Sequence, residues 1–301
     1  MGRRVERGLL GACAAVVLVL GACQGGRSPE LPGATSTSPP QATATTSTPP
    51  TSTVPPSTGP TSPTRRPTSS APRPTPTDTA GSCPTRIPAR LLGRDLTTLG
   101  TPRKEVALTF DGGSGNEAVA SILRTLATEH VPASFFLTGE FVTAFPASAR
   151  AIAARHQVGN HTDRHPDLTT LTSSAIRAEI RTAAARIKGV TGRDPHPWFR
   201  FPFGAVDART ISVVNEECYV PFRWTVDTLG WKGTSGGQTR SSVIARVTRA
   251  ARPGEIVLMH LGAHPTDHST LDADALPQVI AELRSRGYSF VALSTVIGPA
   301  P

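Results

Sequence analysis

From about residue 104 the sequence alternates short apolar, β-branched runs with longer stretches of helical period, and this alternation most restricts the fold. "EVALTFD" (105–111), "ASFFLTG" (133–139), "QVGNHT" (157–162), "WFRFPFG" (198–204), "YVPFRWTVD" (219–227), "EIVLMH" (255–260) and "SFVALS" (289–294) read as strands. Between them, residues 116–130, 146–156, 173–192, 207–217, 241–251 and 274–287 carry the i, i+3, i+4 spacing of amphipathic helices. Strand–helix alternation calls for parallel strands joined by helical crossovers. Seven such strands can close into a barrel or form an open, doubly wound sheet, and periodicity does not choose between them.

Four of the strands end in chemistry. The first ends at Asp111, the third runs into "HTDRH" (His161–His165), the fourth carries Arg200, and the sixth ends at His260. In parallel α/β folds the carboxyl ends of the strands form the ligand face. A carboxylate at the exit of a buried strand needs a cation or donors, and the guanidinium of Arg200 can hold Asp111 in one orientation. Two histidines at i and i+4 lie about 13 Å apart on an extended strand, and Pro166 disfavours a helix at His165. A tight turn after "VGN" would bring both imidazoles onto one metal ion, zinc first by ligand type. The other reading is a pair of surface histidines. His260, alone at a strand end, is either a satisfied core histidine or a general acid. "HPTDH" (His264–His268) reads as a loop after the sixth strand.

The first eighty residues belong to another class. Arg3, Arg4 and Arg7 precede an apolar stretch from Leu9 to Leu20, too short to span a bilayer. It ends in "LGAC", which resembles the lipobox of bacterial lipoproteins. Residues 1–22 then read as a lipoprotein signal peptide, with Cys23 as the lipidated mature N-terminus. Residues 23–82 are mostly Thr, Ser, Pro and Ala, and cannot bury enough apolar surface to fold. They read as a disordered tether able to reach on the order of 100 Å, which leaves 83–301 for one folded domain. An exported chain meets oxidising conditions. Cys83 and Cys218 are therefore expected either to pair, tying the start of the domain to its core, or to stay as free thiols. The formal charge of +9 favours anionic surroundings. No basic run with interleaved aromatics marks nucleic acid as a partner.

Taken together, "TFDGG", "HTDRH", "RFPFG", "VDTLGW" and "LMH" resemble, in order and spacing, the motifs of the polysaccharide deacetylases, the NodB-homology domain of carbohydrate esterase family 4. The resemblance covers about 104–297 and implies an α/β fold of the distorted (β/α)7, TIM-like barrel type. It implies a metal-dependent hydrolase, with zinc, cobalt or nickel, that removes N-acetyl groups from the amino sugars of peptidoglycan or a chitin-like glycan; separately, the domain is expected to be a monomer. In that scheme Asp111 is the base, Arg200 its orienting partner, and His161 and His165 are metal ligands. The Phe203 N–H is an oxyanion donor, His260 the acid, and Leu258 and Trp231 shape the pocket.

Two positions depart from the motifs. Gly112 replaces the family's third, aspartate metal ligand. Gly230 replaces an aspartate read as steadying the arginine, a task for which nearby Asp227 is the candidate substitute. The gap at 112 leaves three expectations: added waters; a ligand from Asp111, Asp163 or His264; or no metal, in a sugar-binding relic. An O-acetyl esterase would use the same residues.

Overall fold

The computed structural model describes residues 83–297. Cys23, the signal segment and the whole Thr/Ser/Pro-rich stretch lie outside the described residues. The strands are β1 (Glu105–Gly112), β2 (Ala133–Leu137), β3 (Gln157–Asn160), β4 (Trp198–Phe199), β5 (Val220–Pro221), β6 (Val226–Asp227), β7 (Glu255–His260) and β8 (Ser289–Phe290). The α-helices are α1 (Val119–Thr128), α2 (Gly139–Ala144), α3 (Pro146–Ala153), α4 (Ser173–Thr191), α5 (Ala208–Glu216), α6 (Arg240–Ala250), α7 (Leu271–Ser285) and α8 (Ser294–Ile297). The strands pair in parallel in the order β5-β4-β3-β2-β1-β7-β6, with β8 against the start of β1. This is the distorted (β/α)7-type barrel, curled but left open between β5 and β6.

β1 is the central stave because its residues are apolar on both faces. Val106, Leu108 and Phe110 face outward into the layer shared with Ile122, Leu126 and Phe135. Ala107 faces the opposite way, toward Phe136, Phe222 and Ile256. Parallel strands covered on both sides carry such continuous apolar runs. The pleat then puts Thr109 and Asp111 in the inward row with Ala107, and Gly112 in the outward row.

"YVPFRWTVD" is not one strand. It breaks into β5 and β6, joined by Phe222–Thr225 with no crossover helix, so the barrel has a gap there. The segment before β1 partly fills it. Leu96 N–H donates to Pro221 O (3.0 Å), Arg223 N–H to Leu96 O (2.8 Å), and Leu99 N–H to Gly254 O (2.8 Å). Thr225 Oγ1–H donates to Thr97 O at 2.6 Å. The sixth and last expected strands also differ in weight: β7 is six residues, whereas only Ser289–Phe290 of "SFVALS" pairs. Cys83 and Cys218, 135 residues apart, are joined by a disulfide with Cα atoms 5.4 Å apart. It secures this N-terminal segment at the end of α5.

Local signals set most helix ends. Thr172 caps α4, and Gly192 closes it in the left-handed region at φ 71°. Asp207 with Thr210, and Thr239 with Ser242, form capping boxes on α5 and α6. α7 begins at Leu271, three residues before the periodic run read from the sequence, and passes through Pro277. Among the described residues no helix is long and apolar enough to cross a membrane.

Candidate active site

The centre of the barrel mouth is a buried ion pair. Arg200, fully buried, donates Nη1–H to Asp111 Oδ1 (2.7 Å) and to Thr109 Oγ1 (2.9 Å). Its Nε–H reaches Phe222 O and its Nη2–H reaches Arg223 O, both at 2.9 Å. Four of the five guanidinium hydrogens are thus used, and the plane lies 4.2 Å from the Phe136 ring centroid. The open edge between β5 and β6 makes this possible, because the carbonyls of Phe222 and Arg223 have no neighbouring strand to serve. Burial pushes the Asp111 carboxyl up, but the charges of Arg200, His161 and His260 outweigh it and hold it below the usual carboxylate range. Asp111 is therefore ionised near neutral pH.

The two expected metal-binding histidines meet. His161 still pairs with β2, its N–H on Leu137 O, and then the chain turns sharply. Thr162 and His165 both sit in the left-handed region, at φ 67° and 61°, a conformation that costs a non-glycine residue on the order of 1 kcal/mol or more. Glu179 of α4 holds the turn by accepting the N–H groups of Asp163 (3.1 Å) and Arg164 (2.9 Å). Thr162 Oγ1 accepts the N–H of His165 at 3.1 Å. His161 Nδ1 lies 2.9 Å from Arg200 O, and a carbonyl can only accept, so the hydrogen is on Nδ1 and Nε2 keeps its lone pair. His165 Nε2 is 3.1 Å from His161 Nε2. Burial lowers the pKa of both rings, that of His165 to about 4. Two neutral nitrogens at that separation suit one divalent ion, since zinc–nitrogen bonds of about 2.05 Å at a tetrahedral angle put them roughly 3.3 Å apart.

The third ligand is where the site is short. Among the described residues no three His, Cys, Asp or Glu side chains gather to hold an ion. Asp163 is taken up between Gly139 and Arg186, with Oδ1 3.4 Å from Arg186 Nη1. His264 Nδ1 instead faces Asp267 and Ser235 in the loop after β7. Of the named alternatives, Asp111 comes nearest, with Oδ2 3.4 Å from His161 Nε2. A side chain at 112 would start in the outward row. A Cβ there would lie 2.8 Å from Leu137 Cδ2, 3.0 Å from Leu261 Cδ1 and 3.3 Å from Phe141 Cδ2. The space of the missing aspartate is filled by hydrocarbon.

His260 ends β7 directly beside Asp111. Burial lowers its pKa, but the carboxylates of Asp272, Asp111 and Asp227 outweigh burial and raise it. Trp231 lies 6.3 Å from the His260 ring, half-exposed at 47%, with Nε1 3.3 Å from Asp227 Oδ2. Leu258 is buried two residues before His260 in the same row. Phe203, 69% exposed and at φ 59°, sets its ring edge-on to His165 at 4.5 Å. Beyond it, at the barrel's open edge, a cleft of about 440 Å³ is lined by Phe203, Trp224, Asp227, Arg223 and Arg246.

Asp227 acts on Arg200 only through its charge and makes no hydrogen bond to it. Its Oδ1 accepts the N–H of Leu229 at 2.8 Å and its Oδ2 faces Trp231. Among the described residues the carboxylate bonded to Arg200 is that of Asp111. A side chain at 230 would not point to Arg200 either. Its Cβ would lie 2.3 Å from Asp272 Oδ1. Three residues escaped the sequence reading: Thr109, Glu179 and Asp272. Thr109 was legible as an inward polar residue two before Asp111. Glu179 and Asp272 reach the site from helices, and no local pattern announces them.

Comparison with known proteins agrees with this geometry. The polysaccharide deacetylase family model matches residues 98–220. A peptidoglycan-N-acetylglucosamine deacetylase of Bacillus cereus is 32% identical over 195 residues, 64% of this chain and 68% of that protein. A chitooligosaccharide deacetylase of Rhizobium leguminosarum is 34% identical, over 64% of this chain and 92% of that one. Among solved structures, a carbohydrate esterase family 4 pseudoenzyme from Bacillus anthracis superposes with a TM-score of 0.62 at 29% identity, covering 68% of this chain and 69% of that one. A mutant of that pseudoenzyme is described as having restored enzymatic activity, with a TM-score of 0.61. The strand ends of this parallel, distorted barrel gather a buried carboxylate, a buried guanidinium and three imidazoles. The chain belongs to the polysaccharide deacetylase family.

Proposed function

We propose that the protein removes N-acetyl groups from N-acetylglucosamine units of a cell-wall glycan, peptidoglycan first. The observation that carries this reading is the meeting, at one barrel mouth, of Asp111, the His161–His165 pair and His260 in three different protonation environments. The relatives named for peptidoglycan and chitooligosaccharide deacetylation support the substrate class. His161 and His165 would hold the divalent ion, with zinc the first choice by ligand type and cobalt or nickel as alternatives. When bound, it would supply Lewis-acid polarisation of the amide carbonyl and acidify water.

The chain's own residues do the proton work. Ionised Asp111, fixed by Arg200 through Oδ1, presents Oδ2 to take a proton from the attacking water. The water oxygen bonds to the acetyl carbon as the carbon–nitrogen bond breaks. His260, its pKa raised, delivers a proton to the departing amine, giving acetate and a free amino sugar. In this scheme the N–H of Phe203 would stabilise the oxyanion, and Leu258 and Trp231 would enclose the methyl group. The exposed faces of Phe203 and Trp231 offer stacking surfaces to neighbouring sugars. Export, lipid attachment at Cys23 and the tether of residues 23–82 would set a monomeric domain of residues 83–301 at the membrane's outer face, within reach of the wall.

The closed pocket beside Gly112 and the likeness to a pseudoenzyme favour one second reading, a glycan-binding domain without turnover. Acetate release from peptidoglycan and N-acetylglucosamine oligomers separates the two. The mature chain is assayed with zinc, cobalt or nickel, and metal occupancy is measured in parallel. Release abolished by His260→Ala supports hydrolysis. No release from any substrate at full occupancy overturns it.

A further inference from the structure

We infer that Asp272 is the positioning residue for His260, a carboxylate delivered from helix α7 into the space that Gly230 leaves open. This rests on the proposed role of His260 as the acid. Asp272 lies in the first turn of α7 and is 3% exposed. Its Oδ2 accepts the backbone N–H of His260 at 2.8 Å and stands 3.6 Å from His260 Nδ1. His260 Nδ1 and the second oxygen, Asp272 Oδ1, are buried and have no hydrogen-bond partner. A buried ring nitrogen without a partner, 3.6 Å from a carboxylate whose Oδ2 holds the same residue's backbone N–H and whose Oδ1 is itself unpaired, forms an incomplete contact that a small ring rotation completes. An Nδ1–H held on Asp272 fixes the imidazole plane and leaves Nε2 to carry the transferable proton, the arrangement by which a carboxylate orients a catalytic histidine.

Gly230 bears on the same contact from the other side. A Cβ at 230 would fall 2.3 Å from Asp272 Oδ1 and 2.6 Å from its Cγ. Gly230 is not in the left-handed region, so its backbone does not demand glycine; the carboxylate of Asp272 does. Positions 230 and 272 compete for one space beside His260, and this chain fills it from the helix.

The other charged or titratable groups facing His260 are Asp111 on β1, Asp227 on β6, and His161 and His165 after β3, with the Trp231 ring alongside. Asp272 differs from the carboxylates among them in bonding the same residue's backbone, so its distance from the ring is fixed.

The test compares Asp272→Asn with wild type. Asparagine keeps an oxygen for the His260 N–H and removes the charge. NMR titration of the His260 ring is expected to show its pKa lowered by about one unit or more in the variant. The alkaline limb of the kcat profile should move down by the same amount, and kcat should fall at least about tenfold. The titration reads the contact even if the protein hydrolyses nothing, which separates failure of this inference from failure of the proposed function. Relocation gives the second arm. Gly230→Asp alone should unfold at a lower temperature, while Gly230→Asp combined with Asp272→Ala should recover stability and bring kcat to within about tenfold of wild type. An unchanged His260 titration in Asp272→Asn overturns the inference. With an active wild type, so does a folded double variant no more active than Asp272→Ala.

Discussion

Replacing Gly112 with aspartate looks like the obvious way to complete the metal site, and the packing predicts that it fails alone. The new Cβ would press on Leu137 Cδ2 at 2.8 Å, Leu261 Cδ1 at 3.0 Å and Phe141 Cδ2 at 3.3 Å, all from fully buried side chains. Overpacking of this kind costs about 1–3 kcal/mol, and a carboxylate set against hydrocarbon adds a desolvation cost. Leu137→Ala alone should cost about 2–5 kcal/mol through the cavity it leaves. In the double variant each change relieves the other, so the loss should be smaller than the two single losses added. Urea unfolding of all four proteins in chelator, then in zinc, measures this. A site with a third ligand should gain about 2.7 kcal/mol at a zinc concentration 100 times its Kd. At that concentration the double variant should gain more than wild type, and Gly112→Asp should gain no more than wild type. If Gly112→Asp alone matched wild type in chelator and bound zinc more tightly, the reading of a closed pocket would be wrong.

Other expectations follow from single contacts. Asp111→Asn should lower kcat by about 10²–10⁴ and also destabilise by about 3–5 kcal/mol, since Arg200 is left as an unpaired buried charge; acetate release and urea unfolding read the two effects apart. Glu255, fully buried with neither carboxylate oxygen hydrogen-bonded, has its pKa pushed up by burial to about 7 from 4.5. Its folded form holds the proton that the unfolded chain releases, so stability is undiminished below pH 4.5. It then falls by about 1.4 kcal/mol per unit, about 3 kcal/mol in all by pH 7. Glu255→Gln should remove that slope from the pH dependence of unfolding, and an unchanged slope would contradict it. Trp231→Ala, at a half-exposed ring, should change stability by less than about 0.5 kcal/mol while raising KM for N-acetylglucosamine oligomers.

The strand–helix alternation, the inward row ending in Asp111, and the four strand ends bearing chemistry were all legible along the chain. Each is a local periodicity, and the parallel fold turns strand ends into one face. The turn that joins His161 to His165 was half legible: Pro166 excluded the helix, but the left-handed residues and the hold of Glu179 depend on α4. The division of "YVPFRWTVD" was not legible, because two short strands and one long one share the same apolar pattern. The difference lies in the segment Leu96–Leu99 that takes a partner's place.

The two glycines show the division best. By itself the sequence determined that two carboxylates expected of this family are absent, at 112 and at 230. Tertiary structure decided that the absences are unlike. Around Gly112 the outward pleat meets Leu137, Leu261 and Phe141, so the space is closed by apolar packing. Around Gly230 the space is occupied by Asp272, brought from forty-odd residues away by the early start of α7. A missing side chain is a one-dimensional fact, but what fills its volume is set by residues distant in the chain, since close packing leaves few spaces empty.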